Sequence, residues 1–129
     1  MNPKHFLIVG GLTLIAVALA GFFGIIGPTT QDSLFGDMWW FDNAENWAHL
    51  VLGIVALVVA LALPAILQEW VTLLVGALGV LVGLYNVLGS TMLLGANLEN
   101  PADTILHVAV GAWALLAWWK GRSMPPAKI

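Results

Sequence analysis

Four long apolar runs dominate the chain, at roughly 5–27, 44–63, 70–89 and 102–120, with short polar stretches between them. Each approaches the ~20 residues that an α-helix needs to cross a bilayer's hydrocarbon core of ~30 Å. The polar residues mark the helix ends. Asp42 followed by Glu45 predicts an N-cap and a capping-box acid for the second run. Pro64 marks that run's exit. Asn100 as cap, Pro101 at the first helical position and Asp103 in the first turn open the fourth run. Small residues predict close helix approach at Ala16, Ala20 and Gly24 on the first run, and at Gly76, Gly79 and Gly83 on the third.

The first run has a second reading. Lys4, an apolar stretch and Ala18-Leu19-Ala20 resemble a secretory signal with its cleavage site. The apolar run continues past that site through Phe22, Phe23, Ile25 and Ile26, so a retained span is the expectation. The stretch 28–42 carries Asp32, Asp37 and Asp42 and closes on Trp39, Trp40 and Phe41. Tryptophan favours the headgroup zone, which predicts a loop lying back on the membrane surface. The tail after Lys120, with Pro125-Pro126, is expected to fray.

A repeat organises these segments. Ala44, Glu45, His49 and Gly53 return 58 residues later as Ala102, Asp103, His107 and Gly111. A weaker echo relates the stretch from Gly21 to Gly27 to that from Gly83 to Gly89. The chain therefore reads as one all-α domain over 1–129, an up-down-up-down bundle of two tandem helical hairpins.

Composition strengthens the membrane reading. Of 129 residues, 60% are hydrophobic and 9% charged, against about a quarter charged in soluble domains. Cysteine is absent, which removes disulfide and thiolate chemistry from consideration. A net charge of −3 leaves no basic footprint for a nucleic acid. The basic residues Lys4, Lys120, Arg122 and Lys128 all flank the termini, while the loops before the second and fourth runs carry only acids. The positive-inside rule then predicts a multi-pass protein of the bacterial inner membrane with both termini cytoplasmic. Its immediate partners are the lipid bilayer and either further copies of itself or a larger membrane complex.

His49 and His107 should lie roughly 10 Å below their helix starts, at one depth in the outer half of the membrane. Tyr85 and Asn86 are expected near that depth. Polar side chains in hydrocarbon face the protein interior and find partners. Three readings follow. In the structural one, the histidines hydrogen-bond each other, Asn86, Tyr85 or a backbone carbonyl, and Glu45 and Asp103 cap their helices. In the second, His49 and His107 ligate haem b or a chlorophyll-type pigment, with Gly53 and Gly111 leaving room for a flat macrocycle. The absence of cationic partners for haem propionates weighs against it. In the third, Glu45, His49, Asp103 and His107 hold a metal ion, since each acid and histidine four apart share a helix face.

The two helix starts, Ala44-Glu45-Asn46 with His49 and Gly53, and Asn100-Pro101-Ala102-Asp103 with His107 and Gly111, resemble a family of small bacterial four-helix membrane proteins of unknown function. Thr104 departs from that pattern where the first copy has Asn46. The resemblance implies the four-helix fold and the histidine pair, and implies no activity. No nucleophile, oxyanion device or phosphate loop is present, so the expected function is non-enzymatic, an accessory or scaffold subunit. The alternative is the cofactor carrier.

Overall fold

The computed structural model describes residues 1–89 and 91–123. Ser90, Lys128 and the tail expected to fray at Pro125-Pro126 lie outside the described residues. The described chain is helical apart from its loops. Four helices, α1 (Pro3–Phe22), α2 (Asn43–Ala62), α3 (Ala65–Val87) and α4 (Ala102–Ser123), are each long and apolar enough to cross a membrane.

Local chemistry sets the ends. Asn2 caps α1 by accepting from the His5 amide at 2.9 Å, with Pro3 in the first turn. The helix stops at Phe22, although the apolar run goes on to Gly27. Gly24 takes a positive φ of 79°, and Ile26 leaves the helix to pair with Ser33 as an isolated β-bridge. Ile25 and Ile26 thus belong to the loop, and Gly24 contributes to no helix face. Asp42 caps α2, accepting from the Glu45 amide at 2.8 Å. Glu45 does not complete the capping box. Its carboxyl is buried, 3% exposed, with neither oxygen hydrogen-bonded among the described residues.

The turn from α2 to α3 is tighter than the third run, expected at 70–89, implies. Helix α3 starts at Ala65, directly after Pro64. Gln68 is inside the helix and donates to the carbonyls of Ala60 (3.1 Å) and Leu63 (2.8 Å), closing the end of α2. Helix α4 runs on to Ser123, with Lys120 and Arg122 in its last turn, where they complement the helix dipole.

Helix α1 packs chiefly on α2, and α3 on α4. Glycine makes both crossings possible. A methyl built on Gly11 would lie 2.9 Å from the Gly53 carbonyl oxygen, and one on Gly21 would collide with the Asn46 side chain. A methyl on Gly79 would lie 3.0 Å from the Gly111 Cα, and one on Gly83 would lie 2.5 Å from a Val108 methyl. Position 11 thus meets 53 while 21 meets 46, so the two helices run antiparallel where they touch, and the same holds for α3 and α4. The close-approach face of α1 is Gly11, Ala18 and Gly21, not the predicted Ala16, Ala20 and Gly24.

Among the described residues, the hydrophobic core that the four helices share lies toward one end. Phe6 and Leu7 of α1, Val59 and Ala60 of α2, and Ala114 and Ala117 of α4 form it, with Val71 and Val75 of α3 against it. Trp113 belongs to this core, edge-on to Phe6 with ring centroids 4.7 Å apart. The opposite end is closed by the two long loops. The loop after α1 contains the Ile26–Ser33 bridge and a 3-10 turn at Gly36–Met38. The loop after α3 carries a two-stranded ribbon, β1 (Met92–Leu93) and β2 (Ala96–Asn97), turning through Leu94 and Gly95 at positive φ.

Candidate functional site

Helical spacing builds the first wall of the site. Asp103, Leu106, His107 and Val110 lie three and four apart and therefore share one face of α4. They border a cavity of about 200 Å³ with Thr13, Leu14 and Val17 of α1 and His49 of α2. Trp39 and Phe41, from the loop before α2, complete the lining. The two histidines therefore face one space from two helices. Loop residues above and apolar helix faces beside them make up the rest.

The two rings are held differently. His107 Nδ1 lies 2.7 Å from the Asp103 carbonyl oxygen. A carbonyl only accepts, so Nδ1 carries a proton and, in the neutral ring, Nε2 carries the lone pair. His49 packs against Phe41, ring centroids 4.9 Å apart, and its buried Nδ1 has no hydrogen-bond partner among the described residues. Of the partners expected for the histidines, a backbone carbonyl is the one His107 takes, and no hydrogen bond joins the two rings among the described residues. Asn86 and Tyr85 turn elsewhere. Asn86 donates to the Glu99 carbonyl at 3.3 Å and Tyr85 to the Met92 carbonyl at 2.7 Å, so both hold the loop after α3.

The carboxylates around the site act mainly on backbone and loops. Asp103 accepts from the Trp39 indole at 3.1 Å on one oxygen and from the Glu99 amide at 2.6 Å on the other. Asp42 accepts from the Glu45 amide on one oxygen and from the Asn97 amide at 2.8 Å on the other. Each loop is thereby fastened to the opposite helical pair: the first loop's Trp39 reaches α4, and the second loop's Asn97 reaches the cap of α2. Glu99, in the loop itself, has its carboxyl pushed above the ordinary 4.5 by burial, with Asp103 and Asp37 adding repulsion. Hydrogen bonds from Asn97 and Trp40 oppose that rise.

Comparison with protein-family models, curated proteins and solved structures gives no match to this chain. The site is therefore weighed on its own geometry. Gly53 and Gly111 do not border the cavity. Gly53 meets Gly11 and Ile15, and Gly111 meets Gly76 and Val80, so each is filled by its neighbouring helix. The cavity, at about 200 Å³, also falls below the ~300–1,000 Å³ that houses a drug-sized ligand, and a tetrapyrrole is no smaller than such a ligand. The residues present do not fit haem b or a chlorophyll-type pigment. The four-residue metal set does not assemble either. Among the described residues, no three His, Asp or Glu side chains are grouped to hold a metal ion. Asp103 is turned to Trp39 and Glu99, and Glu45 does not border the cavity.

The roof is what sequence reasoning missed. Trp39 reads as a belt residue from its polar, aromatic neighbourhood, yet it turns inward to Asp103 and lies edge-on to Phe41 at 5.2 Å. Leu106 and Val110 were missed as well, although helical spacing offers the signal: Leu106 is three residues from Asp103 and Val110 three from His107.

Proposed function

We propose that this protein is a non-enzymatic, multi-pass membrane protein of the bacterial inner membrane that serves as an accessory or scaffold subunit. In this reading its helices cross up-down-up-down as two tandem hairpins, with both termini cytoplasmic. It works within a homo-oligomer or a larger membrane complex, and it takes no nucleic-acid partner. The reciprocal fastening of the loops carries this reading. The Trp39–Asp103 and Asp42–Asn97 bonds spend the polar groups of the loop end on holding two helical pairs in one relation. A scaffold needs a fixed shape, and these bonds supply it where the shared core does not reach. Basic residues at the ends of α1 and α4, and acids in the loops at the far end, support the orientation. The resemblance of the two helix starts to small bacterial four-helix membrane proteins supports the layout. Large aliphatic side chains at Leu74, Leu78 and Leu81 leave the outer face of α3 apolar, suited to lipid or a neighbouring subunit.

Gentle solubilisation followed by native mass spectrometry and in-membrane crosslinking tests the proposal. A fixed stoichiometry, with itself or with one co-purifying membrane protein, is the expected result. A monomer at every concentration, crosslinked to nothing in the native membrane, overturns it.

A further inference from the structure

We propose that the cavity beneath Trp39 and Phe41 is a lipid-side binding site for the headgroup of an isoprenoid quinol. The inference rests on the helices lying in a bilayer and is independent of the accessory role.

The direction of access comes first. Trp39 and Phe41 close the cavity toward the loop end. Thr13, Leu106 and Val110 also border it and are exposed, and all three lie within the apolar stretches of α1 and α4. The mouth therefore faces hydrocarbon, and a ligand reaches it from the membrane. A tail remains in lipid while the head enters.

Chemistry selects the head. The described basic side chains Lys4, Lys120 and Arg122 sit at the other end of the helices, and Asp103 borders the cavity. No lysine or arginine among the described residues borders the cavity and Asp103 does, so a neutral head suits it better than a phosphate. Leu14, Val17, Leu106 and Val110 supply apolar walls, and Trp39 and Phe41 supply ring faces and edges for a flat aromatic head. About 200 Å³ admits one substituted ring and excludes the tail. His107 decides between oxidation states. Its Nδ1 proton is engaged by the Asp103 carbonyl, so in the neutral ring Nε2 accepts. A quinol hydroxyl donates to such a nitrogen, whereas a quinone carbonyl has no proton to give.

The test uses the full chain in phosphatidylcholine nanodiscs, with radiolabelled one-isoprene ubiquinol in equilibrium dialysis and empty nanodiscs subtracted. Saturable binding of one quinol per chain is expected. His107→Phe should weaken it about tenfold, as the loss of a buried hydrogen bond predicts. Val110→Trp, which plugs the mouth and leaves both histidines in place, should weaken it at least as much with helix content and melting unchanged. Ile105→Trp, exposed on α4 away from the cavity, should bind as the parent does. The quinone form should bind several-fold more weakly. Absence of saturable binding, equal binding by all three variants, equal binding of quinone and quinol, or displacement by phosphatidylglycerol would each overturn the assignment.

Discussion

Gly111→Ala puts the close packing of α3 and α4 to a quantitative test. A methyl on Gly111 would lie 2.7 Å from the Val80 nitrogen and 2.9 Å from the Gly76 carbonyl oxygen. Both obstacles are backbone, so no side-chain rotation relieves them. Ordinary contact begins at 3.4 Å, so the helices must separate by about 0.7 Å to accept one carbon. Overpacking of this kind costs ~1–3 kcal/mol, and better helix propensity returns up to ~1 kcal/mol of it. A net loss of about 1–2 kcal/mol shifts the folded-to-unfolded ratio roughly 5- to 30-fold. Gly10→Ala is the internal control, because its methyl would find only the Phe6 ring edge, at 4.0 Å. It should be neutral or slightly stabilising. Reversible unfolding in mixed micelles, followed by far-UV circular dichroism, measures both. If Gly111→Ala proves no more destabilising than Gly10→Ala, the glycine on α4 is not the contact that sets the interhelical distance.

Four further outcomes follow from the loop end and the turn. Trp39→Phe keeps the ring and removes the donor to Asp103; it should cost about 1–2 kcal/mol and speed protease cleavage within 28–41 without altering helix content. Asp42→Ala removes both a cap and the Asn97 link, so its loss should exceed the ~1 kcal/mol of a cap alone and should release both loops in hydrogen exchange. Gln68→Ala leaves two carbonyls at the end of α2 unsatisfied, and about 1–2 kcal/mol should be lost in the same unfolding assay. Glu99 gives the pH dependence: its folded pKa is raised, so the stability it contributes is full below 4.5 and is lost as pH rises through the higher folded value. Glu99→Gln should flatten that part of the stability–pH curve, and an unchanged slope would exclude Glu99 as its source.

The four long helices were legible because apolar length, Asp42 as a cap and Pro64 as an exit each have one physical meaning. The end of α1 was not, since Phe23, Ile25 and Ile26 are as apolar as the helix before them. Only the positive φ at Gly24 and the bridge to Ser33 turn them into loop. The start of α3 was hidden for the opposite reason. Gln68 and Glu69 look like a polar turn, but Gln68 is spent inside the helix on the carbonyls of α2. At the site, the repeat spacing brought out His49 and His107, and the structure sets both on one cavity. The roles of Gly53 and Gly111 were misread because room for a ligand and room for a helix leave the same residue in the sequence. Tyr85 and Asn86 matched the histidines in depth, but depth alone says nothing of the direction a side chain takes around its helix.

The exchange of fasteners between the two helical pairs bears on how the chain is made. When α1 and α2 emerge first during synthesis, Trp39 has no Asp103 to reach and Asp42 has one oxygen waiting. The rim of the first half stays unbuttoned until the second half arrives. The first half alone should therefore have a protease-sensitive loop that becomes protected only once α4 has packed beside it.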